Sequence, residues 1–191
     1  MKQHQFRPEF VNTLRDLPDT TRNSLVISRD SNGRALSYYI NNVWDFSSDV
    51  HIRNKSAREK LIDFSLLRFA DGSRFTDVKH VRLLAAVKDY LYIRLACISP
   101  HSGKPLSATT VISLWGGRIR PLLHWMVSSG FSCFADLTSE ACLDYVEHTK
   151  NRTGSENCKG VYKGKQLNPN VLRNIYTFLE SLWEFREHLQ D

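Results

Sequence analysis

The sequence is poor in the features that build disulfide frameworks, zinc sites and membrane spans. Its 191 residues include four cysteines, and no two of them have the CxxC spacing of zinc or thiol-redox sites. No run of about 18 apolar residues occurs that would cross a bilayer. The first seven residues also lack the apolar core of a secretory signal peptide. We therefore expect a cytoplasmic protein with reduced thiols.

Cofactor-binding patterns are missing as well. The GxxxxGK[ST] loop that cradles nucleotide phosphates does not occur. Cys142, His148 and Cys158 are the one set with metal-ligating chemistry, and their irregular spacing argues against a metal site. We expect no metal and no cofactor.

What the sequence does contain is positive charge concentrated in one segment. The net charge is +6, which permits an anionic partner without identifying one. Between Lys150 and Arg173 there are six Lys or Arg residues and a single acidic residue, Glu156. This segment is where a nucleic-acid phosphate would be attracted most strongly.

The pattern of the chain changes near residue 75. Before that point, Ser24–Ser28 and Arg34–Ile40 read as strands on either side of Asn32 and Gly33, which predicts a β-hairpin with a type I′ turn. Two apolar-rich patches that carry aromatic side chains follow, Val43–Phe46 and Leu61–Phe64. We expect their aromatic rings to dock this segment onto the rest of the protein.

After residue 75, four segments have the apolar spacing of core-facing helices. The predicted helices are Asp77–Cys97 with Thr76 as N-cap, Ser107 to Ser129 with Gly130 as its stop, a third that begins at Thr138 and buries Cys142, Tyr145 and Val146, and a fourth capped by Asn168 with Pro169 at its first position. The predicted buried face of the fourth helix is Leu172, Ile175, Tyr176, Leu179, Leu182 and Trp183. We thus predict a mainly α protein with an N-terminal extension, residues 1–75, and a helical domain, residues 76–191, that folds alone.

The polar face of the second helix suits contact with nucleic acid. It carries Thr110, Ser113, Gly117, Arg120 and His124, so that hydroxyls, a bare backbone position and a guanidinium follow one another. The adjacent glycines of the sequence GGRIRP each cost about 1 kcal/mol of helix propensity relative to alanine, and the proline that follows predicts a bend or break. Two interpretations of the glycines stay open, tight packing between helices and close approach of DNA.

The first turns of the fourth helix form the second candidate face. Asn170, Arg173, Asn174 and Thr177 are predicted to be exposed there, next to the basic loop and at a helix N-terminus, where free N–H groups favour phosphate. Later exposed positions are acidic, so only the first half of this helix suits DNA; an ordinary solvated helix is the alternative. The complete set of predicted DNA-binding residues is Lys104, Thr109, Thr110, Ser113, Arg118, Arg120, His124, Lys150, Arg152, Lys159, Lys163, Lys165, Asn170, Arg173, Asn174 and Thr177.

The segment from Thr76 onward resembles the N-terminal core-binding, or SAM-like, domain of the tyrosine recombinases, the phage-integrase family. The resemblance rests on the first helix and on the strings PLSATTVISLWGGRIRPLLHWMVSSG, ADLTSEACLDYVEHTKN and LNPNVLRNIYTFLESLWEF. The upstream segment is similar to N-terminal extensions of some transposon-encoded and genomic-island recombinases. The resemblance implies four helices that form half of a clamp around duplex DNA, with the second and fourth helices facing it and other protomers nearby.

The catalytic residues of that family have no counterpart here. The only HxxR string is His4–Arg7, and none of the seven tyrosines lies in a basic constellation. We therefore expect the chain to be a DNA-binding N-terminal portion of a recombinase or integrase, whether truncated or naturally short, with no catalysis of its own. The alternative function is a helical protein–protein interaction or adaptor module.

Overall fold

Helices dominate the computed structural model, which confirms the mainly α prediction. It describes residue 14 and residues 16–48, 56–97, 105–151 and 169–185, apart from the side chains of residues 57 and 58. Within these residues there are five helices and two small antiparallel sheets of two strands each. None of the described helices is both long enough and apolar enough to cross a membrane.

The predicted hairpin is present, but its turn differs from the predicted type. Helix α1 (Asp19–Asn23) leads into strands β1 (Val26–Arg29) and β2 (Ala35–Tyr38), which pair antiparallel. The Gly33 amide donates to the Asp30 carbonyl (3.0 Å), so Ser31 and Asn32 are the central turn residues, and Gly33 follows with φ +81°. The Asp30 carboxylate also accepts the amides of Asn32 and Arg34, each at 2.8 Å. These bonds favour a turn one residue longer than type I′.

The two aromatic patches form the second sheet and dock onto the helices, as expected. Strands β3 (Val43–Asp45) and β4 (Leu61–Asp63) are antiparallel. Phe64, directly after β4, is fully buried and lies 5.2 Å from the Trp44 ring and 5.1 Å from the Trp115 ring, between centroids. The docking was predictable from composition, whereas the pairing of β3 with β4 was not.

The first long helix, α2, spans Val81–Ala96 and begins later than predicted. Thr76 is not its N-cap. Asp77 uses its carboxylate to accept the Arg74 amide (2.8 Å) and precedes a short 3₁₀ turn, Val78–His80. The Asp77 side chain is thus used in a local turn, and a 3₁₀ turn precedes the α-helix.

The predicted second helix, α3, runs without interruption from Ala108 to Ser128 and contains a π-helical turn. An α segment, Ala108–Leu114, is followed by the π turn Trp115–Ile119 and a second α segment, Arg120–Ser128. The Arg120 amide donates to the Trp115 carbonyl, five residues back. Pro121 consequently falls in the first turn of the second α segment, where its missing N–H is tolerated.

Both ends of α3 are as predicted. The Ser107 hydroxyl accepts the Thr110 amide (3.2 Å), and Gly130 ends the helix with φ +83°. Such caps are local, so the sequence alone predicts them.

Two further helices complete the described structure. Helix α4 spans Ser139–Lys150, and its cap Thr138 accepts the Ala141 amide as predicted (3.2 Å). Helix α5 spans Pro169–Phe185. Cys142, predicted to be buried in α4, is only half-buried.

The buried face of α5 differs in part from the prediction. Tyr176 and Trp183 are exposed, at 42% and 41%, and Leu172 is half-buried. Phe178 and Phe185 are buried instead, with their rings 6.2 and 6.0 Å from Tyr90 of α2. The apolar stripe of α5 is therefore rotated towards α2, away from the two exposed aromatic residues.

Among the described residues, one hydrophobic core contains side chains from both predicted parts of the chain. Phe75 stacks on Trp115 at 6.2 Å, and the Tyr39 hydroxyl donates to the buried Asp89 carboxylate of α2 (2.7 Å). The division at residue 75 thus does not separate two cores. Independent folding of residues 76–191 stays a prediction.

Lys88 of α2 is held inside this core. Its ammonium lies 5.7 Å from the Tyr39 ring centroid and 5.4 Å from that of Phe64, and it donates to the Ile40 carbonyl (3.1 Å). Burial lowers the pKa of Lys88 from 10.5 to about 8. The charged form is therefore less favourable in the folded state than in the unfolded state.

We expect this burial to make stability rise with pH. Between the folded pKa of Lys88, about 8, and the unfolded value near 10.4, the unfolded state holds more protons, so the free energy of unfolding increases through that window. Relative to a Lys88→Met variant, the parent should gain up to about 3 kcal/mol across it. Urea titrations of both proteins at several pH values measure the difference. Parallel pH profiles would show that Lys88 is not desolvated.

Candidate nucleic-acid interface

The predicted polar face of α3 is exposed. Thr110, Ser113, Gly117, Arg120 and His124, hereafter the polar row, all lie at the surface. The Thr110 hydroxyl is 2.9 Å from the Ser107 hydroxyl, so it also belongs to the helix cap. His124 packs its ring edge-on against Phe69 (5.6 Å), which orients the imidazole. Thr109, another of the predicted DNA-binding residues, is half-buried.

The glycine pair of α3 lies in the π turn and is exposed. A Cβ added to Gly116 or Gly117 would meet nothing within 4 Å among the described residues. Neither glycine has a left-handed backbone, which is found only at Gly33, Gly72 and Gly130 among the described glycines. Neither packing nor backbone conformation in the described structure therefore requires glycine, which argues against the helix-packing interpretation.

Two grooves flank the glycine pair and differ in charge. The first, of about 460 Å³, is lined by Gly116, Arg120, Pro121, His124, Trp125, Ser128 and His148. We call it the histidine groove. The second, of about 990 Å³, also contains Gly116 and Arg120 but includes the carboxylates of Glu59 and Asp63. An anion is favoured on the side of the histidine groove.

The end of α4 connects the polar row with α5. His148 lines the histidine groove, and Tyr145 packs on Trp125 of α3 at 5.3 Å. The Lys150 ammonium pairs with Glu147 (3.0 Å), and this hydrogen bond raises the pKa of Lys150, with a smaller contribution from Tyr176 of α5. Residues 148–150 thus lie between the two predicted faces. His148 was not among the DNA-binding residues predicted from the sequence. Whether it faces the histidine groove depends on how α4 packs against α3, which the sequence pattern of α4 does not show.

The first turns of α5 present the predicted polar residues. Asn170, Arg173, Asn174 and Thr177 are all exposed. The Thr177 hydroxyl donates to the Arg173 carbonyl (3.2 Å), so its proton is already used in a hydrogen bond within the helix. Arg173 and the two asparagines have the residue chemistry that reads base edges or phosphates.

Arg118 does not share the face of Arg120. It is half-buried, and its charge acts on the Tyr90 hydroxyl of α2, opposing the rise in pKa that burial causes there. That hydroxyl lies 3.0 Å from Ser181 of α5. Arg118, one of the predicted DNA-binding residues, is therefore not on the exposed polar row, because residues two positions apart on a helix lie on nearly opposite sides.

The remaining predicted residues lie outside the described residues, namely Lys104, Arg152, Lys159, Lys163 and Lys165. Cys158 and the predicted cap Asn168 do so as well. Among the residues that are described, no group of three or more His, Cys, Asp or Glu side chains is arranged to hold a metal ion.

Comparisons with protein-family models, with curated proteins and with solved structures gave no match to this chain. The assignment of function therefore depends on the geometry and chemistry of this surface.

Proposed function

We propose that this protein binds duplex DNA without cutting it. The contact surface would run from the polar row of α3, across residues 148–150 at the end of α4, to the first turns of α5. We further propose that α2 to α5 correspond to the four helices of a SAM-like core-binding domain, so that the chain serves as the DNA-clamping part of a site-specific tyrosine recombinase.

The exposed glycine pair is the observation that carries this proposal. Two adjacent glycines in a helix cost about 2 kcal/mol of helix propensity in total, relative to alanine. The described structure gives no internal reason for that cost, since a Cβ at either position meets open space. A bare strip of backbone flanked by Ser113, Arg120 and His124 allows a sugar–phosphate backbone to come close while polar groups bind its oxygens.

Charge along the proposed surface agrees with this function. His124 and His148 line the histidine groove and not the groove that contains Glu59 and Asp63, whereas Arg120 lies between the two grooves and lines both. Further along α5, exposed Glu180 and Glu184 would repel phosphates, which confines DNA to the first half of that helix. In the sequence, the basic segment from Lys150 to Arg173 joins the end of α4 to the start of α5.

Replacing Gly116 and Gly117 by alanine tests the proposal, because it should move stability and binding in opposite directions. Alanine raises helix propensity, so the free energy of unfolding should increase by up to about 2 kcal/mol. The added methyl groups should hold the DNA backbone away and weaken binding about tenfold, or about 1.4 kcal/mol. Urea denaturation and fluorescence anisotropy with a labelled duplex measure the two effects.

The single variants Gly116→Ala and Gly117→Ala show which position approaches the DNA more closely. A double variant that is more stable and binds duplexes as tightly as the parent would mean that the bare strip is not a contact surface. The adaptor alternative would then be favoured.

A further inference from the structure

An apolar groove lies between α4 and α5, on the other flank of α4 from the histidine groove. Its volume is about 570 Å³. Its apolar lining comes from Cys142, Leu143 and Val146 of α4 and from Tyr176, Leu179 and Trp183 of α5. Leu143 is 63% exposed, the most of the large apolar side chains in either helix. Side chains of this kind rarely gather at a surface without a partner that covers them.

Trp183 is distinctive among the four tryptophans of the chain. Trp44, Trp115 and Trp125 are buried, at 0%, 5% and 8% exposure, whereas Trp183 is 41% exposed at the groove. Exposed tryptophan is enriched at the energetic centres of protein interfaces.

The rim of the groove is acidic, in contrast to the net charge of +6 for the whole chain. Glu180 and Glu184 line the groove itself, and Glu140 and Asp144 are exposed on α4 beside it. Electrostatic complementarity therefore favours a partner with basic residues around an apolar centre. DNA is excluded from this face by the same carboxylates.

The shape of the groove indicates what kind of segment fits. Two neighbouring helices form its walls, and the groove between two helices accepts the apolar stripe of a third. A symmetric dimer through this groove would bring Glu180 and Glu184 of one copy towards the same residues of the other, since a two-fold interface pairs a patch with itself. Like charges at such an interface are unfavourable.

We propose that the α4–α5 groove docks an amphipathic helix of another protein, whose apolar stripe is flanked by lysine or arginine. Leu143 and Trp183 contact the apolar stripe, and Glu180 and Glu184 pair with the basic flanks. This docking surface is separate from the proposed DNA surface and does not depend on DNA binding.

The test uses the full chain and synthetic helical peptides of 18 or so residues. One peptide has leucine at positions i, i+3, i+4 and i+7 with lysine elsewhere, and a second has the same pattern with glutamate in place of lysine. Binding is followed by titration calorimetry and by tryptophan fluorescence, to which the exposed Trp183 contributes along with the three buried tryptophans. We expect the Leu/Lys peptide to bind at least about tenfold more tightly than the Leu/Glu peptide, a difference of about 1.4 kcal/mol.

Charge reversal provides the decisive variant. Glu180→Lys combined with Glu184→Lys should abolish or reverse the preference for the Leu/Lys peptide. The matched control, Asp16→Lys combined with Glu59→Lys, changes the net charge equally at exposed sites that do not line the groove and should keep the preference. Leu143→Ala should weaken both peptides about equally, and circular dichroism checks that each variant is folded.

Three outcomes would overturn the proposal. These are equal affinity for the two peptides, a preference that survives the charge reversal, and a dimer in sedimentation equilibrium that dissociates on Leu143→Glu. The last would identify a second copy of this chain as the occupant.

Discussion

Phe64→Ala is expected to lower the free energy of unfolding by about 3–5 kcal/mol. Phe64 is fully buried and touches Trp44 of β3 and Trp115 of α3, at 5.2 and 5.1 Å between ring centroids. It also forms one side of the site that holds the Lys88 ammonium. Removing the ring would leave a cavity and separate the N-terminal sheets from the helices.

Leu66→Ala is the matched control for this change. Leu66 lies in the same 3₁₀ turn as Phe64 but is 51% exposed, so its truncation should change stability by less than about 0.5 kcal/mol. Urea denaturation of both variants supplies the comparison. Equal, small losses would indicate that the N-terminal part contributes little to the core and would support independent folding of residues 76–191.

Replacing Lys159, Lys163 and Lys165 together by alanine is expected to weaken binding to all duplexes alike. Each phosphate contact that is lost should reduce the slope of log affinity against log salt by about one, so the triple variant should flatten it by up to about three. Phosphate contacts carry no sequence information, which is why the loss should not depend on the duplex. Anisotropy titrations over a series of salt concentrations measure the slope.

A second triple variant separates local contacts from overall charge. Arg34→Ala, Lys79→Ala and Arg82→Ala remove the same charge from exposed residues that lie outside the proposed surface. This variant should keep the parental slope. If the Lys159, Lys163 and Lys165 variant also keeps the parental affinity and slope, the basic segment is an ordinary solvated surface and the adaptor function becomes the better explanation.

The sequence predicted those parts of the fold that local interactions determine. Ser107 and Thr138 cap helices because their own side chains reach the nearby amides, and Gly130 ends α3 with a left-handed backbone. The pairing of β3 with β4 depends on contacts between distant segments, which no local pattern encodes. The start of α2 was placed too early because a 3₁₀ turn, Val78–His80, precedes the α-helix, and the Asp77 side chain is used by the Arg74 amide in the turn before it.

The candidate site was predictable in composition but not in arrangement. The exposure of Ser113, Arg120 and His124 follows from the amphipathic pattern of α3. Arg118 was placed wrongly because two residues that are two positions apart on a helix lie about 200° apart, so Arg118 and Arg120 cannot share one face. His148 joins the surface only because α4 packs against α3, a tertiary fact that a single helix pattern does not contain.

The π turn at Trp115–Ile119 also determines in which direction the side chains that follow it in α3 point. The buried residues Val111, Trp115 and Ile119 follow one another at intervals of four, whereas an α-helix has 3.6 residues per turn. Because a π turn contains more residues than an α turn, it keeps these three side chains on the same side of the helix. With one residue fewer, the second half of the helix would rotate by about 100°. His124 would then leave Phe69 and Trp125 would leave Tyr145. The number of residues at positions 116 and 117 is therefore constrained more tightly than their identity. We expect α3 to tolerate a substitution at either glycine better than the deletion of one of them.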